Sequence, residues 1–196
     1  MNTFTTREDW LTQGVTELRP FFEIAGHTLP DAIRVACGFP YAAPRSRAIG
    51  QCWNNAASGD NTHEILISPE LAEPGRVFDV LIHELCHTVP GTKGHGATFQ
   101  RVASSMLLSA CGVGKTPWGS TEQGPGFSEQ YGEIIASLGA YPHAVLTPNQ
   151  FKKTQTTRML KASCPDCGYT VRLSAKWAAQ GLPICPTHNI EMTSEE

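Results

Sequence analysis

His83-Glu84-Leu85-Cys86-His87, with His95 eight residues further on, brings together the residue types of a catalytic metal site. Residues four apart on a helix leave the same face, so the imidazoles of His83 and His87 can grip one ion. Glu84 lies beside that face, where its carboxylate can take a proton from a water activated by the metal. The flanking residues suit a helix: Val77, Val80, Leu81 and Leu85 recur at helical spacing, and Pro90 with Gly91 then stops it.

The third ligand decides the type of site. A helix motif extended by Gly and a third His needs Gly at position 90 and His at position 93, but the chain has Pro90 and Lys93. A glutamate from a later helix is an alternative, and Glu129 or Glu133 would serve. His95 is the better choice, because Gly91, Gly94 and Gly96 permit the tight turn that swings an imidazole back to the metal. Three protein ligands and one water form the open arrangement of catalytic zinc, whereas structural zinc is closed by four.

A four-ligand set lies near the C-terminus. Cys164-Pro165-Asp166-Cys167 and Cys185-Pro186-Thr187-His188 are two short knuckles separated by 17 residues, the spacing of a zinc ribbon. Between them Tyr169–Leu173 alternates like a strand, and Ala175–Gln180 reads as a short helix ended by Gly181. Four ligands leave no open position, so this zinc is expected to hold the fold and do no chemistry. The metal-free alternative is a disulfide, which a reducing compartment disfavours.

The two constellations, in this order, resemble the SprT-like (Spartan-related) zinc metalloprotease family, some of whose members cleave proteins crosslinked to DNA. The resemblance rests on the His83–His87 motif, on Gly94-His95-Gly96 followed by Phe99, and on the C-terminal ribbon. It extends to Ala32–Cys37, Ala48–Trp53 and Glu64–Leu71, which are similar to that family's short strands before the zinc helix. It covers about residues 30–110 and 158–192. It implies an α+β, zincin-like domain, zinc on His83, His87 and His95, and Glu84 as catalytic base. The chain departs from the family at His188, where ribbons of this kind commonly carry a fourth cysteine.

Composition sets the remaining bounds. The 196 residues suffice for one medium domain, residues 1–150, plus a small one, residues 151–196, and 40% hydrophobic residues can build a core. No signal-peptide pattern and no membrane-length apolar run is visible. The seven cysteines, an odd number, fit a cytoplasmic setting, with Cys37, Cys52, Cys86 and Cys111 expected to fill core spaces. The net charge of −3 hides an asymmetry. Residues 1–149 carry nine basic and fourteen acidic side chains, whereas residues 150–180 carry Lys152, Lys153, Arg158, Lys161, Arg172 and Lys176 against Asp166 alone. A basic ribbon attracts phosphate, and Trp177 or Tyr169 offers a face for an unpaired base, so DNA is an expected partner alongside a protein substrate. The opposite expectation packs Trp177 on the ribbon core.

The elements that must position these groups follow from periodicity. Residues 7–25 read as an amphipathic helix with Trp10, Leu11, Val15, Leu18 and Phe22 on one side. Strands are expected near 32–37, 47–53 and 63–68, with Ile65–Ile67 as an edge on which an extended substrate adds. A helix is expected over 98–110, a long loop over 112–127 and a linker over 142–157. Gly112–Thr116 imitates a phosphate-binding loop but has Ser109 where the first glycine belongs, which excludes a nucleotide site. Tyr131, Tyr141 and His143 are candidates for stabilising an oxyanion. The expectation is a cytoplasmic zinc endopeptidase. Its alternative is a catalytically silent zinc-stabilised module that binds nucleic acid or protein, against which the intact Glu84 argues.

Overall fold

Thr6 starts the first helix by accepting the Asp9 amide on its hydroxyl at 3.1 Å. A computed structural model describes residues 4–41, 48–143, 145–147 and 159–195; they fall into two units, Met1–Thr147 and Pro148–Glu196. The architecture is mixed α+β, with small sheets and five α-helices among the described residues.

Helix α1 spans Arg7–Ile24 and buries Trp10, Leu11, Val15, Leu18 and Phe22, the side expected from periodicity. Pro20 falls on its exposed side, where the missing amide leaves the carbonyl of the exposed Thr16 to water. Strands β1 (Ile33–Cys37), β2 (Gly50–Trp53) and β3 (His63–Ile67) form a sheet in the order β1-β3-β2. β3 is parallel to β1 and antiparallel to β2, with Ile65 facing Val35 on one side and Cys52 on the other. The expected edge at Ile65–Ile67 is therefore corrected. The strand with fully buried Ile65 and Ile67 takes the centre, and β1 and β2 are the edges.

Helix α2, Pro74–Thr88, starts with Pro74 in its first turn, and Glu73 caps the amides of Gly75 at 2.8 Å and Arg76 at 2.5 Å. Val77, Phe78, Leu81, Ile82, Leu85 and Cys86 are all fully buried, so α2 is covered on nearly every side. Trp10 and Tyr131 meet Phe78 with ring centroids 6.2 and 5.8 Å away. α1 packs on α2 at Gly14, where a Cβ would lie 3.0 Å from Leu81 Cδ2.

Helix α3, Ala97–Ser105, buries Phe99, Val102 and Ala103 but stops short of residue 110, the end expected for it. Leu107 takes a left-handed φ of 59°, which ends the helix, and Leu108–Ala110 becomes strand β4. Its antiparallel partner β5, Thr121–Gln123, lies inside the expected loop. Helix α4, Phe127–Leu138, follows, and the Gly139 carbonyl accepts Trp10 Nε1 at 3.2 Å.

The second unit holds β6 (Met159–Ser163), β7 (Thr170–Ser174), the short α5 (Ala175–Ala178) and β8 (Thr193–Glu195), with the sheet order β7-β6-β8. Its core consists of Ala162, Cys164, Cys185 and Met192, with Val171, Leu173, Leu182 and Ile190 packed against it. A core this small cannot stabilise a domain by burial alone. Lys152, Lys153 and Arg158 lie outside the described residues. Among the described residues, no helix is long and apolar enough to cross a membrane.

The close approach of α1 to α2 gives a first expectation. Gly14→Val should push branched methyls into Leu81 and lower stability by about 1–3 kcal/mol, read as a reduced denaturant midpoint. An unchanged midpoint would show that the two helices do not pack through Gly14.

Candidate metal centres

His83, His87 and His95 converge, each offering a ring nitrogen within 4.8 Å of the others. Two come from α2 one turn apart, and the third arrives on the loop that Gly91, at φ 84°, and Gly94, at φ 50°, turn back toward the helix. His83 Nε2 and His95 Nε2 are 3.2 Å apart. Nitrogens at the corners of a tetrahedron about zinc would be separated by ~3.3 Å, given Zn–N bonds of roughly 2.0–2.1 Å. Phe99 is the common wall behind the three rings, with centroids 4.8, 4.5 and 4.8 Å from those of His83, His87 and His95.

Burial keeps these imidazoles neutral. It lowers His83 to about 3, with neighbouring His87 and His95 adding to the effect. It lowers His87 to about 4 and depresses His95 as well. A neutral imidazole is the form that lends a lone pair to a metal, so the donor set suits a borderline cation such as zinc. Glu129 and Glu133 are exposed on α4 and take no part in the cluster.

Glu84 lies on the same helix, buried to 5% exposure, and burial raises its carboxyl to about 8. It reaches the space left by Gly50, where a Cβ would overlap Glu84 Oε1 and lie 2.7 Å from Val80 Cγ1. The cleft in front of it has a volume of about 610 Å³ and is lined by Tyr41, Gly50, Gln51 and Thr121 together with the three histidines and Glu84. That volume is in the range of sites that take a specific ligand. Edge strand β2 forms one wall.

Arg76 and Thr121 were not singled out by the sequence. Arg76 lines the cleft, pairs with the buried Asp79 at 2.5 Å and donates to the Thr121 carbonyl at 3.0 Å. Burial holds Asp79 up at about 7 against the pull of Arg76. The Thr121 hydroxyl lies 2.8 Å from His83 Nδ1. No local pattern marks a threonine in a glycine-rich stretch as the neighbour of a histidine 38 positions earlier.

None of the three oxyanion candidates lines the cleft. The Tyr131 hydroxyl is buried and directed at the Met106 carbonyl, 3.5 Å away. Tyr141 packs edge-on against Trp10 beneath the Arg7 guanidinium. His143 lies beyond α4 with a left-handed φ of 66°. Of the cysteines outside the ribbon, Cys86 is fully buried, Cys37 and Cys52 are half-buried, and Cys111 is exposed, which corrects the core placement expected for Cys111.

Cys164, Cys167, Cys185 and His188 form the other cluster. Cys167 Sγ and Cys185 Sγ are 3.8 Å apart, and Cys164 Sγ and Cys185 Sγ stand 3.6 and 3.8 Å from His188 Nδ1. A tetrahedron with Zn–S bonds of about 2.3 Å has edges of ~3.8 Å. A disulfide would bring two sulfurs to ~2.05 Å, and all seven cysteines are free.

The two knuckles have the same hydrogen bonds. Cys164 N and Gly168 N bond Tyr169 O and Cys164 O, both at 2.9 Å, and Cys185 N and Asn189 N bond Ile190 O and Cys185 O at 2.8 and 2.9 Å. The left-handed position is filled by Gly168 in one and Asn189 in the other, at φ 71° and 51°. His188 therefore occupies the place that Cys167 has in the first knuckle. Burial pushes the Cys185 thiol up, but the backbone amides of His188 and Thr187 and the His188 ring outweigh it and bring it down to about 6. A thiol poised toward thiolate is the form that binds metal.

Comparison of the chain with family models, curated proteins and solved structures gave no match.

Both clusters are compatible with zinc, which gives a stoichiometric expectation. The purified chain should carry two zinc ions. His83→Ala should release one and leave the fold, since that site is added to an existing core. Cys164→Ser should release the other and unfold the second unit. Glu129→Ala and Glu133→Ala should retain both, and loss of metal in either variant would restore a glutamate as third ligand.

Proposed function

We propose that the chain is a zinc-dependent endopeptidase of SprT-like type, with a zincin-like catalytic unit and a C-terminal zinc ribbon. One observation carries the reading: three neutral histidines and a buried carboxylate face a single cleft, one wall of which is an edge strand. His83, His87 and His95 would hold the catalytic ion, and Cys164, Cys167, Cys185 and His188 the structural one. Zinc bound by three protein ligands supplies Lewis acidity, bringing the pKa of a coordinated water toward about 7 and polarising a peptide carbonyl.

The chain's own groups divide the remaining work. Glu84 is the general base: its carboxylate accepts the proton of the attacking water and then returns it to the amine nitrogen that leaves. An ionised carboxylate is costly at 5% exposure, and a nearby cation relieves that cost, so Glu84 ionises most readily when the histidines are loaded. An extended substrate would join the free side of β2, where backbone groups not used by β3 can pair with it. Addition there would bring a scissile bond past Gly50, next to the carboxylate.

DNA-associated proteins are the substrate class we favour, in a reducing, cytoplasmic setting. Lys161 and Arg172 are exposed cross-strand partners on β6 and β7. Lys176 sits over the Trp177 ring at 5.4 Å, and Trp177 is 61% exposed, which is how a stacking platform presents itself. That exposure is contrary to packing Trp177 into the ribbon core.

The test is cleavage of an unfolded protein with and without single-stranded DNA. Glu84→Gln should keep both zinc ions and any DNA affinity but lose about 10²–10⁴-fold in rate. If wild type and Glu84→Gln are equally inert on every unfolded or DNA-crosslinked protein, the binding module replaces the enzyme. Gly50→Ala tests the space beside the base. It should lower kcat by roughly 10²-fold through displacement of Glu84 while zinc content is unchanged. Wild-type turnover in that variant would remove Gly50 from the site's design.

A further inference from the structure

Thr121 sits on β5 at 5% exposure, with its hydroxyl oxygen 2.8 Å from His83 Nδ1. The other nitrogen of the same ring, Nε2, faces His95 at 3.2 Å. The two nitrogens of the His83 imidazole are thus divided between the cluster and Thr121. A neutral imidazole carries one proton, and a ring that binds a cation through Nε2 must keep it on Nδ1. The threonine oxygen is placed to accept that proton in a hydrogen bond.

Thr121 is itself held independently of His83. Arg76 donates to its backbone carbonyl at 3.0 Å, and the strand register pairs it with Ala110 of β4. The backbone that carries the hydroxyl is therefore fixed relative to α2 before any metal arrives. Among the described residues, no comparable side-chain partner meets His87, whose ring lies stacked on Phe99 with centroids 4.5 Å apart. Packing orients His87, whereas a directional bond orients His83.

Resting on the three-histidine reading above, we propose that Thr121 is the positioning residue of that centre. It locks His83 in the tautomer with the proton on Nδ1 and fixes the rotation of the ring, so that the Nε2 lone pair points into the cluster.

The test measures zinc affinity of the full chain by competition with a chromophoric chelator, together with the visible spectrum of the cobalt-loaded protein. Thr121→Val keeps the shape and removes the acceptor. It should weaken zinc at the three histidines by about 10–100-fold and shift the cobalt bands, with the ribbon zinc unaffected. Thr121→Ser restores the hydroxyl and should recover wild-type affinity to within a few-fold. Val15→Ala, a cavity in the core face of α1, should lower stability with no change in zinc affinity. Should Thr121→Val fail to fold, Thr121→Ala is read by the same criteria. Wild-type affinity in Thr121→Val, equal weakening in Thr121→Ser, or equal weakening in Val15→Ala would each overturn the role. A wild-type chain that binds zinc at the ribbon alone would instead overturn the metalloprotease reading, and this role with it.

Discussion

Burial of α2 is the constraint around which the first unit is arranged. Its apolar residues are fully buried on several sides, yet it also carries His83 and Glu84 at 8% and 5% exposure. Polar groups at that depth need partners or must stay neutral. The imidazoles stay neutral, one meets Thr121, and Asp79 is matched by Arg76. Surrounding the helix orients the histidine cluster as well as stabilising the unit. A ring held on all sides by Phe99, Thr121 and its fellow histidines has few rotamers left to lose when a cation binds, so affinity is not spent on ordering.

How much of this can be read from the sequence depends on whether the relation is local. His83 and His87 are legible because helical spacing alone puts them on one face, and the two knuckles because each is a tight turn of four residues. His95 is legible because its glycines announce a turn. The order of strands is not local. Ile65–Ile67 and Gly50–Trp53 are both short segments that read as strands, and only the assembled sheet places one inside and the other at the edge. The break at Leu107 is likewise invisible to periodicity, since the apolar pattern runs on through Leu108 while the backbone turns left-handed. Thr121 is hidden for the same reason: β5 exists only because β4 offers a partner, and a three-residue strand in a glycine-rich stretch has no signature of its own.

The two candidate metal centres are built by contrasting means. The ribbon repeats one local device twice, a cysteine-proline knuckle closed by amide bonds around a left-handed residue, and its core is too small to hold the pair together otherwise. There the ion would be part of the fold. In the first unit the core already exists without it, extending from Trp10 to Tyr141, and the histidines lie at the border of that core and the cleft. A site added to a finished core can leave a coordination position open, because the fold does not depend on closing it.

Gly50 shows what that openness requires of the neighbouring strand. β2 runs past α2 so closely that any side chain at this position would strike Glu84 and Val80. Were the strand further away, the Glu84 carboxyl would be hydrated and its acidity ordinary. Were it equally close but carrying a Cβ, Glu84 would be displaced. A glycine at the start of the edge strand is the solution that keeps backbone, carboxyl and histidine cluster within one small volume. It also explains why a buried carboxyl with no hydrogen-bond partner among the described residues can persist there: the same gap that admits Glu84 opens onto the cleft, where water can reach it.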